Sequence, residues 1–485
     1  MINIIKAVSK ISIASATNIF TGIIRTKIFA IILGTAGIGI ISQLSNFSNL
    51  AIFVGAVGIP VGVIKYVSEY EKEGRWSEIK DILGKCLIII FSMGLFFVII
   101  TIVFAKQFSF LILDSDSYSL LLIVTACTFP FALTCSIFDA FIRGLKKFNQ
   151  FVKISVISSV ISLIISIFLV IFYKLTGFVF SLLINSIVNI IIYVIYFHWT
   201  KIIRLKELFV FKATSGTTLK NILKLGIASL IAETINQGTI LLIRSLIVKG
   251  YGVDINGVYQ CVVSLSNNYF LLFYMSISAY VLPVLSEIKD IDRLNEQINE
   301  IYRFTLFIVV PIITFTFVLR EIVILLLYTS KFMQASNLVV YNFTGDFFKA
   351  LAWVLGAWLI PRSKFKLWMI IAILFNVYFF SIFALLTFYF KMDIISAVIA
   401  YAISNFMHFV VNLYFIKKYN NFRFKIDSFK LMLYSGIFVL IILLISSYKT
   451  SLGYFFIIPF FLLWMKLSIK KEEFMKLLSL IKIKY

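Results

Sequence analysis

Apolar runs of about twenty residues recur along this chain from one end to the other, and they leave few architectures open. A helix that crosses a bilayer needs roughly 20 mostly apolar residues. Runs of that kind occupy residues 11–33, 38–63, 84–105, 117–141, 154–173, 177–198, 222–248, 256–284, 304–328, 335–360, 367–390, 394–416, 431–448 and 452–469. Composition excludes a soluble chain: 61% of the 485 residues are hydrophobic and 14% are charged, whereas soluble domains carry about 25% charged residues. Barrel strands alternate in polarity over roughly 10 residues, and these runs do not. A helix also pairs its own backbone groups where no water can reach them. The expected fold is therefore an all-α integral membrane protein with about 14 transmembrane helices. The last two runs are the shortest, so twelve spans with two interfacial helices is the alternative.

The chain holds 45 Lys and Arg against 22 Asp and Glu, a formal net charge of +23. A nucleic-acid partner is not expected, because the excess is segregated. Most of the basic residues lie in the N-terminus, in the loops after even-numbered runs and in the C-terminal tail. That is the positive-inside pattern of short loops, and it predicts that both termini are cytoplasmic. The tail, with Lys466, Lys470, Lys471, Lys476, Lys482 and Lys484, would attract the anionic lipid of the bilayer. The first run is too long for a signal-peptide core and contains Arg25 and Lys27, so it reads as the first span. The loops are too short for a folded catalytic domain.

Displacing the sequence by 218 residues aligns Gly34 with Gly252, Gly39 with Gly257, Asn18 with Asn236 and Ser68-Glu69 with Ser286-Glu287. Such self-similarity indicates duplication. Two six-helix lobes follow, an N-lobe over 1–213 and a C-lobe over 214–418. A C-terminal helix pair with the basic tail follows over 419–485. Six is even, so the repeat is parallel, and a substrate site is expected between the lobes near midplane.

Polar side chains inside the spans are the candidate site, because charge at the bilayer centre costs about 2.5–3.5 kcal/mol on insertion scales and usually faces a cavity or a partner. In the first span Ser15, Asn18, Gly22 and Arg25 share one helical face. In the seventh, Glu233, Gln237 and Arg244 do so, with Asn236 adjacent. An arginine fork suits phosphate oxygens, so Arg25 and Arg244 are expected to grip an anion in a shared cavity. Glu233 would balance Arg244 or carry a proton. Lys27 lies about 200° around the helix from Arg25 and either lines the cavity or snorkels outward.

Gln43, Asn46 and Asn49 in the second span, and Gln260, Ser264, Asn267 and Asn268 in the eighth, either solvate sugar hydroxyls or bond between helices. Asp139 with Arg143, and Asp346 with Lys349, form either local ion pairs or ion-coupling and gating groups. His198 and His408 read as structural, and Cys86, Cys127, Cys135 and Cys261 as small buried hydrophobes. No nucleophilic triad, metal-ligand spacing or phosphate loop appears, so no catalytic residue, metal or cofactor is expected. Gly55, Gly58, Pro60 and Gly62 read as a bend or a close helix contact.

The stretch LGTAGIGIISQLSNFSNLAIFVGAVGIPVGVIKYVSEYEKEGR, residues 33–75, resembles the signature region of Wzx-type flippases. These form the polysaccharide transporter branch of the multidrug/oligosaccharidyl-lipid/polysaccharide exporter superfamily. The likeness lies in the LGxxGxG turn, Gln43, Asn46, Gly58 and the Gly62-to-Tyr70 exit. RGLKKF at 143–148 is similar to that family's basic loop. The resemblance implies translocation of undecaprenyl-pyrophosphate-linked oligosaccharide, such as an O-antigen unit, across the bacterial inner membrane by two rocking lobes. A proton or sodium gradient would drive it, and polysaccharide polymerase and chain-length machinery would be partners. The competing readings are a drug or cation antiporter of the same superfamily and a membrane-embedded polysaccharide polymerase or ligase. The antiporter would want acidic spans, and the polymerase or ligase a large outer loop.

Overall fold

A computed structural model describes residues 2–203, 216–448 and 450–468. Most of the segment expected to join the two lobes, and the basic tail beyond Lys466, lie outside the described residues. Two compact units emerge: Met1–Ser276 with Leu326–Phe332, and Ile277–Leu325 with Met333–Tyr485.

The first unit contains α1 (Ile2–Ala56), α2 (Ile59–Lys72), α3 (Trp76–Val103), α4 (Ala105–Leu113), α5 (Ser119–Ala126), α6 (Phe129–Gly144), α7 (Phe148–Thr200) and most of α8 (Gly216–Glu287). At 55, 53 and 72 residues, α1, α7 and α8 are far longer than the roughly 20 residues that cross a bilayer. Each is broken inside by one non-helical residue: Gly34 (φ 66°, ψ −163°) in α1, Lys174 (φ 51°, ψ −126°) in α7 and Gly252 (φ 86°, ψ 167°) in α8. The dihedrals at Gly34 and Gly252 belong to a region open essentially to glycine alone. These two breaks are the pair that the 218-residue displacement aligns.

Breaks elsewhere follow from side-chain chemistry. The expected span at 117–141 is interrupted between α5 and α6, next to Pro130, which cannot donate to the preceding turn. The α2–α3 corner is closed by Arg75, which pairs with Glu73 at 2.9 Å and Glu78 at 3.1 Å and lies over the Tyr70 ring. The interior is built by α2, α3, α6 and α7: Ile59, Val63, Val67, Ile79, Leu83, Ile137, Phe141 and Phe197 are all buried. Phe96, Ile99, Ile164, Phe168 and Phe172 point outward and are exposed, as hydrocarbon-facing side chains must be.

The second unit contains the end of α8, α9 (Ile291–Val318), most of α10 (Arg320–Leu327), α11 (Ala335–Gly356), α12 (Phe365–Ala384), α13 (Ile395–Asn420), α14 (Ile426–Tyr448) and α15 (Thr450–Ser468). The ninth expected span, 304–328, is shifted: α9 begins at Ile291, where the Asp290 carboxylate accepts from Arg293 N at 2.8 Å, and ends at Val318. An N-cap of this kind satisfies a donor the helix cannot. The last two apolar runs are both helices and pack together, with Trp464 Nε1 donating to Ser435 Oγ at 3.1 Å and its ring stacked on Phe438.

Ten described stretches are long and apolar enough to cross a membrane. Those in α1, α7 and α8 each hold two expected spans, and the shorter Leu452–Ser468 helix completes the set of about fourteen. The all-α multi-pass membrane fold read from the sequence is the fold observed.

Candidate functional site

The polar face of the first span meets a second polar stripe. Ser155, Ser159, Ser162 and Ser166 recur at helical spacing on the first leg of α7. Asn18 Nδ2 donates to Ser155 Oγ at 3.3 Å, the Ser159 hydroxyl donates to Asn18 Oδ1, and Arg25 Nη2 donates to Ser162 Oγ at 3.4 Å. Ser166 accepts from Asn185 on the second leg of α7 at 3.1 Å. Arg25 is only partly buried, yet its Nε is buried with no hydrogen-bond partner, and no described carboxylate pairs with it. The result is an un-neutralised guanidinium over a hydroxyl-lined seam. Such a group attracts an anion, and its fork can hold two phosphate oxygens.

Arg244 meets different surroundings. It is 3% exposed. Its Nη1 donates to Ser42 Oγ at 3.1 Å and to Asn256 Oδ1 at 3.5 Å, and its guanidinium lies 5.1 Å from the centre of the Tyr259 ring. Asn256 Nδ2 donates to Gly39 O at 2.8 Å and to Ser42 Oγ at 3.0 Å. Gln43 Nε2 donates to Ile112 O at 2.8 Å and to Ser245 Oγ at 3.3 Å. This network joins the second leg of α1 to both legs of α8. Glu233 is partly buried on the first leg of α8 and, among the described residues, makes no ion pair with Arg244. Balancing charge comes instead from neutral dipoles and a ring face. Arg25 and Arg244 share no hydrogen-bond partner among the described residues.

The network sits where two helix breaks touch. A Cβ at Gly39 would lie 1.9 Å from Val253 O, and one at Gly257 would lie 2.0 Å from Thr35 O. The contact is reciprocal and follows the 218-residue displacement. The Thr35 hydroxyl also donates to the Asp254 carboxylate. Gly58, which has φ 68° and caps α2, makes a second backbone-to-backbone contact with Gly226, and Gly62 lies against Ile222. The glycines at 58 and 62 thus serve as the bend and close contact expected of them.

Lys27 does not join the seam; its Nζ donates to the Tyr328 carbonyl just past the end of α10, where helix carbonyls lack partners. Asn46 is partly buried, with its Nδ2 unpartnered. Gln237 is partly buried and Asn267 exposed. Asp139 does not form the expected side-chain pair with Arg143, which donates to its backbone oxygen at 3.4 Å. The Asp139 carboxylate accepts from the Tyr193 hydroxyl instead. In the second unit Asp346 is fully buried and accepts from the Tyr401 hydroxyl at 2.8 Å, with Lys349 Nζ 5.8 Å from that ring's centre. An aspartate on the fourth expected span with a tyrosine on the sixth therefore recurs on the tenth and twelfth.

Two features escaped the sequence reading. The α7 serine stripe was legible as spacing. Buried Arg320, bonded to Ser336 Oγ at 2.9 Å and Ser446 Oγ at 2.8 Å, ties α10 to α11 and α14. Its partners lie far along the chain, and nothing local announces them.

Residues 28–337 match the family described as polysaccharide biosynthesis protein. The lipid III flippase of Escherichia coli (strain K12) is 20% identical over 358 residues, covering 74% of this chain and 85% of that protein, and the Shigella flexneri lipid III flippase gives the same figures. Among solved structures, the lipid II flippase MurJ in an inward closed conformation superposes with a TM-score of 0.71 at 20% identity, covering 94% of this chain and 97% of that one. An inward-facing multidrug resistance transporter of the MATE family and MOP superfamily gives 0.75 at 12% identity, covering 86% and 98%. These relatives are transporters rather than enzymes.

Proposed function

The chain belongs to the polysaccharide biosynthesis protein family, and from that premise we propose that it is a flippase for a lipid-linked oligosaccharide. The substrate is undecaprenyl-pyrophosphate carrying an O-antigen-type repeat unit. It passes from the cytoplasmic to the periplasmic leaflet of the bacterial inner membrane by alternating access, with both termini cytoplasmic.

The observation that carries this reading is Arg25: a partly buried guanidinium inside an apolar span, without a described carboxylate, beside the serines of α7. Its unpartnered Nε and the neighbouring Nη form one edge of the fork, which suits two oxygens of a pyrophosphate. Asn18 and the α7 serines, with Gln237 and Asn46 as further amides, exchange hydrogen bonds with sugar hydroxyls. The polyprenyl tail stays in hydrocarbon. A cation antiporter would place acidic groups where this chain places Arg25, so the flippase reading is preferred.

Coupling to a proton or sodium gradient is assigned to Asp139 and Asp346, with Glu233 and Lys349 as further gating groups. The supporting feature is the twofold occurrence of an aspartate capped by a tyrosine hydroxyl, partly buried at Asp139 and fully buried at Asp346. Polysaccharide polymerase and chain-length machinery would take up the product.

Replacing Arg25 tests the reading. Arg25→Ala is expected to abolish surface glycan export while the protein inserts in normal amounts. Normal glycan display by that variant at native expression would overturn the assignment.

A further inference from the structure

In the second unit, neighbouring ends of α11 and α12 enclose, with α13, a cleft of about 210 Å³. Trp353 and Gly356 line it from the last turns of α11, Trp368 from the first turn of α12, and His408 and Asn412 from α13. Asn412 is 3% exposed and donates from Nδ2 to His408 O at 2.9 Å. Its Oδ1 would be 2.8 Å from a Cβ at Gly356, so the amide occupies space that only glycine leaves open. The Phe375 ring holds His408 edge-on, with centroids 5.3 Å apart. His408 Nδ1 is buried and has no hydrogen-bond partner among the described residues. Buried polar atoms are nearly always satisfied in native interiors. One on a residue that lines a cleft points to a ligand atom that completes it.

We infer that this cleft receives one pyranose ring of the transported glycan. A pyranose has C–H faces and a hydroxyl rim. The faces suit the two indoles, through dispersion and weak C–H contacts to the rings. The rim hydroxyls suit the unpaired imidazole nitrogen and the fixed amide. The volume fits one ring and falls below the roughly 300–1,000 Å³ of sites for drug-sized ligands. An acyl chain would match the indoles but leave the imidazole nitrogen unsatisfied, which is unfavourable in a dry site. The identity of the glycan rests on the flippase reading, whereas binding of a sugar in the cleft does not require transport. With both termini cytoplasmic, this end of α11–α13 lies toward the leaflet from which substrate is taken.

The test is equilibrium binding. Full-length protein in lipid nanodiscs is titrated with glucose, galactose and N-acetylglucosamine while tryptophan emission is followed. At least one sugar is expected to give a saturable change. His408→Ala and Asn412→Ala are each expected to weaken it roughly tenfold or more, as loss of one hydrogen bond to a buried group would, and Gly356→Val to remove it. Where Gly356→Val does not fold, His408→Ala, which only removes atoms, carries the test. No saturable response from folded wild-type protein, or a response that these variants leave unchanged, overturns the inference. So does quenching by brominated-chain phosphatidylcholine that disappears in a Trp353→Phe, Trp368→Phe double variant yet is not relieved by sugar in the wild type, because an acyl chain then fills the cleft. A protein that binds sugar here yet exports no glycan would refute the flippase reading and leave the cleft standing.

Discussion

Arg25 and Arg244 carry the same group, at similar points of two related spans, in opposite surroundings. Arg25 has hydroxyl neighbours and an unpartnered Nε, whereas Arg244 is closed into a network of Ser42, Asn256 and Tyr259. The first half of that contrast was legible, since Ser15, Asn18, Gly22 and Arg25 share a face in the sequence itself. The second was not, because the partners of Arg244 come from a different leg of α8 and from α1, about 200 residues away. The two arginines should therefore fail differently. Arg25→Lys keeps the charge but loses the fork, so export should fall without vanishing, and thermal stability should hold. Arg244→Met should lower stability by roughly 1–3 kcal/mol, the usual cost of leaving buried polar groups unsatisfied, read as a lower melting midpoint in detergent. Tyr193→Phe strips the Asp139 carboxylate of its hydroxyl donor. If Asp139 couples transport to an ion gradient, the pH or sodium optimum of export should move, with protein amount unchanged.

Among the helices, the informative residues are glycines. The 218-residue displacement predicts a duplication, and the structure gives it a physical meaning: Gly39 and Gly257, with the helix breaks at Gly34 and Gly252, let α1 and α8 touch backbone to backbone. Without a driving force from water, helices in a bilayer associate through such close approach. Gly39→Val or Gly257→Val would drive a side chain into a carbonyl and should destabilise by roughly 1–3 kcal/mol, as overpacking does. The double variant should cost less than the sum, because both changes disrupt one contact. Thermal unfolding of the three proteins checks this. Apolar runs gave the number of spans well, but the ends of helices less so. The start of α9 at Ile291 is set by a cap in a polar segment, and the break before α6 by Pro130. Hydropathy registers neither.

At the scale of the whole molecule, the chain belongs to the polysaccharide biosynthesis protein family and shares its fold with a MATE-family transporter of the MOP superfamily and with the lipid II flippase MurJ. The segregation of its basic residues predicts an orientation, with both termini cytoplasmic. A reporter fused to the C-terminus and active only in the periplasm should stay silent, and activity would contradict an even number of spans. The most direct measurement follows the lipid-linked oligosaccharide itself in cells depleted of the protein, by its accessibility to a membrane-impermeant glycan-binding probe from each side. It should accumulate on the cytoplasmic leaflet, return to the periplasmic side with the wild-type chain and stay cytoplasmic with Arg25→Ala. Unchanged periplasmic exposure after depletion would contradict a flippase.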